Sequence, residues 1–240
     1  IRAMPASQIY TLTKISDTEK PDSYRFESRF QPYGDTAVAE LQQLETTVNK
    51  YRLVLSETHD LQIIQPTVLP AQSILPTPEA VAEATSALPA VLQHYIRTVE
   101  LNPLPYTFQI EGRKSADSAD MTASPGGKIT IYPRMQETPV SGIYRTLVHE
   151  SAHLMGFEQL GVEGTEKGWA VWREAMDRDD IAPSTYARLN GSQPGIEDFA
   201  EAITAWVLSQ GQPEHEEWRA LMPARFALLD KLLTGAPLEF

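Results

Sequence analysis

Residues 146–156 read TLVHESAHLMG and contain the pattern H-E-x-x-H, formed by His149, Glu150 and His153. On an α-helix, positions four apart lie on the same face, so the two imidazoles can hold one Zn²⁺ at about 2.0–2.1 Å each. Glu150 is turned about 100° away around the helix axis, which excludes it as a ligand but leaves it close enough to deprotonate a nearby activated water. The pattern therefore predicts a zinc site with Glu150 as general base, against the alternative that both histidines are structural.

The residues around this motif favour a helix. Thr138 is a suitable N-cap, Pro139 suits the first turn, and Gly156 favours a left-handed helix end. From Pro139 onward the sequence pattern is mostly helical, so the motif is expected to lie on the first helix of a helical C-terminal half.

A catalytic zinc ion takes a third protein ligand and keeps its fourth position for water. Position 159 is Gln, which excludes the extended pattern that ends in a third histidine. Glu174 follows His153 at a spacing close to that of thermolysin-like enzymes, but Arg178 stands where those enzymes have a second acid. Glu174 is therefore one candidate for the third ligand, with an incomplete motif.

Glu197 is the other candidate, on a second predicted helix that runs from about Pro194 to Gly211. Glu201 shares its face one turn later and could accept an N–H from a ligand histidine, as metal sites usually require. We favour Glu197 over Glu174, and the alternative that Glu197 and Glu201 are ordinary surface acids stays open. The other histidines are interpreted as structural, the last of them in a solvated helix start: His59, His94 and His215.

Residues 185–206, TYARLNGSQPGIEDFAEAITAW, resemble the catalytic segment of the anthrax lethal factor family of zinc metallopeptidases. That family includes small secreted clostridial peptidases that cut between prolines. Its pattern is H-E-x-x-H, a gap of about forty residues, a tyrosine, and then a helix of the E-[FD]-F-A-E-A type. The likeness extends over roughly residues 139–234, and the interval from Tyr186 to Glu197 is a few residues longer than in lethal factor itself.

The resemblance implies a role for each matching position. The zinc ligands are His149, His153 and Glu197, with Glu150 as the base. Glu201 corresponds to the acid behind a ligand histidine, and Tyr186 to a phenol that stabilises the oxyanion. Such a donor contributes about 3–4 kcal/mol to lowering the barrier of peptide hydrolysis. Without the resemblance, Tyr186 could equally be a residue that packs under a loop.

The remaining pattern predicts an α+β protein. The resemblance implies a zincin-like fold, in which a small mixed sheet lies beside the active-site helix. Four prolines in residues 66–78 indicate a boundary between an N-terminal α/β region, 1–76, and a catalytic domain, 77–240. The N-terminal region is expected to be an accessory subdomain or an extra layer. Strands are predicted at 8–14, 24–30, 106–111 and 128–132, and helices at 35–56 and 78–99, the latter kinked or broken at Pro89. Lys128–Tyr132 is either an edge strand that pairs with substrate or an interior strand.

The composition restricts the class of protein further. The 240 residues include no cysteine, which excludes disulfide scaffolds, thiolate metal sites and cysteine nucleophiles. A net charge of −12 argues against nucleic-acid and anionic-membrane partners, and no apolar run approaches the roughly 18 residues that span a bilayer. Since position 1 is Ile, we expect a processed or trimmed N-terminus.

These observations together predict a zinc endopeptidase that acts on polypeptides, as a monomer. The resemblance adds secretion and a toxin- or effector-type role. Three alternatives stay open: a zinc-binding interaction module without turnover, a thermolysin-like peptidase with Glu174 as ligand, and a metal-dependent hydrolase of other substrates.

Overall fold

The computed structural model describes residues 4–16, 20–31, 39–69, 74–108, 117–162, 167–189 and 195–234. Within these ranges the protein is α+β, as predicted, with a nine-stranded mixed sheet and eight helices. The strands are β1 (Thr11–Lys14), β2 (Asp22–Gln31), β3 (Glu40–Ser56), β4 (His59–Pro66), β5 (Thr98–Leu101), β6 (Tyr106–Phe108), β7 (Asp117–Ala119), β8 (Met121–Ser124) and β9 (Lys128–Ile131). The helices are α1 (Pro78–Ser86), α2 (Ala90–Gln93), α3 (Val140–Gln159), α4 (Lys167–Asp179), α5 (Thr185–Leu189), α6 (Ile196–Ser209), α7 (Pro213–Leu221) and α8 (Pro223–Leu233).

The sheet is larger and more curved than the sequence predicts. Its strand order is β7-β6-β2-β3-β4-β5-β9-β8, and β1 pairs with the part of β3 that lies beyond β2. Since only Asp120 separates β7 from β8, the two ends of this order lie next to each other in the chain. The sheet is therefore nearly closed, like a barrel.

The predicted helix over 35–56 is wrong for residues 40–56, which form the long strand β3, and its first residues, 35–38, lie outside the described residues. This strand pairs along its length with β2 on one side and β4 on the other. Leu41, one of the apolar residues whose spacing suggested a helix, is exposed. Val48, Leu53 and Leu55 are buried, and all three lie on β3. Thr46, Thr47 and Tyr51 also have high strand propensity, and cross-strand pairing outweighed the weak helical periodicity.

The predicted helix over 78–99 is divided into three elements. Its start is confirmed, since the Thr77 hydroxyl accepts a hydrogen bond from the Ala80 N–H at 3.2 Å. The helix ends before Pro89, which lies at the N-terminus of the short α2. Thr98–Leu101 then becomes β5, an interior strand between β4 and β9.

The strands on both sides of the predicted domain boundary belong to one sheet. β4 precedes residue 77 and pairs in parallel with β5, which follows it. Leu53 and Ile63 from the N-terminal region also lie in the same buried cluster as Val81 and Leu147. The strands and the buried cluster are thus continuous across residue 77, and the division into an N-terminal region and a catalytic domain stays a prediction.

Helix α3 is the central element of the core. It packs against α6 and α1 on the helical side and against β8 on the sheet side. Its fully buried residues include Leu147, Val148 and Met155, and burial of such side chains stabilises the fold by about 1.5–3 kcal/mol each. The two histidines of the motif are therefore held on a helix that is fixed from several sides. None of the described helices has both the length and the apolar character needed to cross a membrane.

Two details of α3 differ from the prediction. Pro139 occupies the N-cap position, and no side chain caps the helix there, so the predicted role of Thr138 is wrong. The helix also continues past Gly156 to Gln159, and the left-handed glycine is Gly161. Gly156 instead allows close packing, because a Cβ atom at this position would lie 3.2 Å from the Trp169 ring.

Candidate metal centre

Helix α3 brings the two histidines of the motif together. The rings of His149 and His153 lie with their centroids 4.7 Å apart, and their Nε2 atoms are 3.1 Å apart. Both side chains are largely buried, with exposed fractions of 15% and 9%. The i, i+4 spacing thus gives the convergence of imidazole nitrogens that the sequence predicts.

Helix α6 supplies a carboxylate to the same point. Glu197 Oε2 lies 3.3 Å from His149 Nε2 and 3.4 Å from His153 Nε2. An apolar stripe of α6 is buried and fixes the rotation of the helix so that Glu197 faces α3. It consists of Ile196, Phe199, Ala200, Ile203 and Val207. His149, His153 and Glu197 form a group that could hold a metal ion.

The dimensions of this group fit a tetrahedral ion. Two ligand atoms at about 2.0–2.1 Å from zinc lie about 3.3–3.4 Å apart when the angle between them is tetrahedral. The three distances between the candidate ligand atoms, 3.1, 3.3 and 3.4 Å, are close to that separation. In addition, Glu197 Oε2 is buried and has no hydrogen-bond donor among the described residues, although both imidazoles are close. A buried carboxylate oxygen of this kind requires a positive partner.

Without a metal, the group binds protons in place of a cation. Burial lowers the pKa of His149, but Glu197, Glu201 and Glu150 raise it, and the pKa is about 10. Burial raises the pKa of Glu197, while the two imidazoles lower it to about 2. Because metal ligands must be deprotonated, a bound metal would displace the imidazole proton, and binding is expected to strengthen as the pH rises.

Glu201 lies behind the ligand group, one turn after Glu197 on α6. Its Oε1 is 3.0 Å from His149 Nδ1, on the opposite side of the ring from the metal-facing nitrogen. An Nδ1–H donated to this carboxylate leaves the lone pair of Nε2 free for a cation. The hydrogen bond to His149 is the main cause of the lowered pKa of Glu201, which burial opposes and a hydrogen bond from Ser184 reinforces.

Glu150 is 7% exposed and faces the sheet side of α3. Its carboxylate accepts a hydrogen bond from the Ala123 N–H of β8. Burial raises its pKa, with the charges of His153 and His149 and the Ala123 hydrogen bond acting in the opposite direction. A carboxylate with a raised pKa is a stronger base, which suits a residue that accepts a proton near neutral pH.

Tyr186 lies on α5, next to the candidate ligand His149. Its ring centroid is 6.3 Å from that of His149, and the side chain is half exposed. Tyr186, His149, Glu150 and Glu201 line one cavity of about 340 Å³. The structure therefore brings the predicted phenol to the same cavity as the predicted base.

The remaining candidates lie elsewhere. Glu174 is 62% exposed and pairs with Arg178 on the surface of α4, outside the group of three. His215 is buried rather than solvated, with its Nδ1 2.9 Å from Ser209 Oγ. His59 and His94 lie 6.2 Å apart by their ring centroids and are also outside that group.

The cavity at the candidate metal centre continues on both sides. Towards the start of α3 it shares Asp120, Met121 and Thr146 with a mostly apolar cavity of about 240 Å³. Towards α7 it shares Arg145, Glu201 and Thr204 with a larger one of about 610 Å³. Of the group of three, His149 lines the middle cavity, so at least this candidate ligand faces an extended cleft.

Sequence analysis missed two features of this site. The Ala123 N–H that contacts Glu150 has no signal in the sequence, because it depends on how β8 lies over α3. Arg145 does have a signal, since it precedes His149 by one helical turn on the ligand-bearing face.

Neither a model of a known protein family nor a curated protein matches this chain. The resemblance to the lethal factor family therefore stays a prediction that rests on the residues that carry it.

Proposed function

We propose that this protein is a zinc-dependent endopeptidase. The observation that carries the proposal is the convergence of His149 Nε2, His153 Nε2 and Glu197 Oε2 at 3.1–3.4 Å, beside a cleft that contains Glu150. Two imidazoles and one carboxylate at tetrahedral separations are a donor set that suits zinc and leaves the fourth position open.

His149, His153 and Glu197 would hold the zinc ion, which would polarise the scissile carbonyl and activate the attacking water. Glu150 takes up the proton of that water and delivers it to the leaving amine, a role consistent with its raised pKa. The phenolic O–H of Tyr186 donates a hydrogen bond to the carbonyl oxygen of the substrate, where negative charge builds during the reaction. Glu201 keeps His149 in the tautomer that presents Nε2.

The shape of the cleft supports an endopeptidase rather than an enzyme that removes terminal residues. Because the cavity at His149 continues in both directions, a polypeptide can extend past the reacting bond on either side. A small substrate would not need this length. The cleft also makes an interaction module without turnover less suitable as an explanation, since such a module needs neither a buried base nor an open channel beside the metal.

Of the two alternatives for Lys128–Tyr132, an edge strand or an interior strand, the described sheet agrees with the interior strand. Lys128–Ile131, as β9, lies between β5 and β8 and is therefore interior in the described sheet. β8 lies at the end of the strand order, Met121 lines the cleft, and Ala123 contacts Glu150. We assign substrate pairing by strand addition to β8.

A zincin-like fold is part of the same proposal. It is supported by the mixed sheet whose end strand lies over an H-E-x-x-H helix, and by the glutamate on a later helix. Export as a secreted protease of toxin or effector type stays a prediction of the family resemblance.

The test compares wild type with Glu150→Gln, which removes the base and keeps the shape of the side chain. We expect one zinc per chain in both proteins by inductively coupled plasma mass spectrometry. Cleavage of a proteome-derived peptide library should fall at least about a hundredfold in the variant. Glu158→Gln is the matched control, because Glu158 is exposed on the same helix, and it should cleave like wild type.

Two outcomes would contradict the proposal. Full activity in Glu150→Gln would remove Glu150 from the role of base. Absence of bound metal after supplementation would mean that the two histidines and Glu197 are structural.

A further inference from the structure

Arg145 lies on the ligand-bearing face of α3, one turn before His149. Its side chain is exposed, and it lines both the cavity at the candidate metal centre and the larger cavity towards α7. The two cavities meet at Arg145, Glu201 and Thr204. A polypeptide that extends from the metal centre towards α7 must therefore pass the Arg145 guanidinium.

Arg145 is the only arginine or lysine among the described residues that line the two cavities, in a chain with a net charge of −12. Four acids line the same cavities: Asp120, Glu150, Glu201 and Glu214. In the part of the chain that the structure describes, the Arg145 side chain forms no hydrogen bond and no ion pair. Glu201 feels the charge of Arg145 but is already engaged by His149 and Ser184.

We infer that Arg145 selects substrates with a carboxylate on the α7 side of the scissile bond, an inference that rests on the proposed peptidase function. A guanidinium presents planar paired donors that match the two oxygens of a carboxylate. The carboxylate is that of an aspartate or glutamate side chain, or of the peptide C-terminus. In either case the substrate carboxylate replaces water at the N–H groups of the Arg145 guanidinium.

A purely structural role for Arg145 makes a different prediction. If its charge served only to hold Glu201 behind His149, its removal would weaken metal binding and slow the cleavage of every peptide equally. Selection of a substrate carboxylate instead changes the ratio of kcat/KM between two peptides that differ only in charge. The test therefore measures this ratio together with zinc affinity.

The experiment starts from a peptide that wild type cleaves in the library and Glu150→Gln does not. Variants of this peptide carry glutamate or glutamine at each of the positions that flank the scissile bond, with a free or an amidated C-terminus. At one position, or at the C-terminus, we expect wild type to prefer the charged form about fivefold, the upper range for an exposed ion pair. The position of the effect distinguishes a side-chain carboxylate from a terminal one.

Arg145→Gln should reduce this ratio to about one, and Arg145→Glu should shift the preference towards lysine at the same position. Arg178→Gln is the control, because it removes another exposed arginine that does not line the described cavities, and its ratio should equal that of wild type. An unchanged ratio in Arg145→Gln, or equal losses for both peptides together with weaker zinc binding, would overturn the inference alone. If wild type cleaves no peptide above the Glu150→Gln background, the proposed function fails and the inference fails with it.

Discussion

Two charged clusters begin at neighbouring positions of α6 and differ in how their charges are balanced. Glu197 points towards α3, where its Oε2 is buried beside two imidazoles without a hydrogen-bond donor among the described residues. Asp198 points the other way, and its two carboxylate oxygens accept hydrogen bonds from Arg225 Nε at 2.7 Å and Nη2 at 2.9 Å. In the metal-free protein the first cluster is balanced by a proton on His149, which a metal ion would replace, whereas the second cluster is balanced by the guanidinium of Arg225.

The cluster around Asp198 is complete within the protein. Arg225 is 1% exposed and also donates to Asp179 at 3.0 Å and to the Ile181 carbonyl at 2.7 Å. Trp172 Nε1 donates to Asp198 at 3.1 Å. A buried ion network with these partners holds α4, α6 and α8 together and needs nothing from outside. Burial of charge alone therefore does not indicate a metal site. A buried acceptor atom without a hydrogen-bond donor, such as Glu197 Oε2, does.

The largest effect on stability is expected from Arg225→Met, which breaks the complete cluster. It leaves two buried aspartates uncompensated, so the free energy of unfolding should fall by about 3–5 kcal/mol, measured by urea denaturation of the metal-free protein. Metal affinity of the folded variant should change much less. A loss below about 1 kcal/mol would show that Arg225 does not balance these charges, and Arg225→Met combined with Asp198→Asn should recover part of the loss.

A substitution in the cluster of His149, His153 and Glu197 should mainly change metal affinity rather than the free energy of unfolding. Glu197→Ala removes a candidate ligand, so zinc affinity should fall at least about a hundredfold, more than is typical for residues that only support a ligand. The unfolding free energy of the metal-free protein should change less than in Arg225→Met. Glu174→Ala is the matched control and should bind zinc like wild type, because Glu174 is exposed on α4. The reverse order would make Glu174 the ligand.

A further test of the cluster of His149, His153 and Glu197 is the pH dependence of the metal-free protein, which reflects protonation alone. The pKa of His149 is raised from 6.5 to about 10, so its contribution to stability is present below pH 6.5 and is lost as the pH rises towards 10. The pKa of Glu197 is lowered from 4.5 to about 2, so its contribution is present above pH 4.5 and is lost as the pH falls towards 2. Stabilisation by this cluster should therefore be greatest between about pH 4.5 and 6.5.

Urea denaturation with a chelator at a series of pH values measures this window. The same series with Glu197→Ala should lose most of the decline on the acid side. If the stability of the metal-free wild type kept rising from pH 6.5 to 10, the imidazole would not be the proton acceptor of this cluster.

The sequence predictions were accurate for features that depend on neighbouring residues and failed for features that depend on residues distant in the sequence. The H-E-x-x-H motif predicted the convergence of two imidazoles, because the geometry of one helical turn fixes that distance. The start of α1 followed from Thr77 and Pro78 for the same reason. Over 40–56 the prediction failed, since the apolar spacing of that segment fits a helix by local rules, whereas pairing with β2 and β4 made it a strand.

The sequence by itself determined the chemistry of this protein: which side chains can bind a metal, which acid is available as a base, and that no thiol takes part. It also determined the spacing of groups on one element, as in His149, His153 and Arg145. Only the tertiary structure decided that Glu197 rather than Glu174 meets the histidines, that β8 rather than β9 is the end strand, and that Asp198 is matched while Glu197 is not. The physical reason is that helix geometry is local, whereas contacts between α3, α6 and the sheet depend on how buried surfaces from distant parts of the chain pack together.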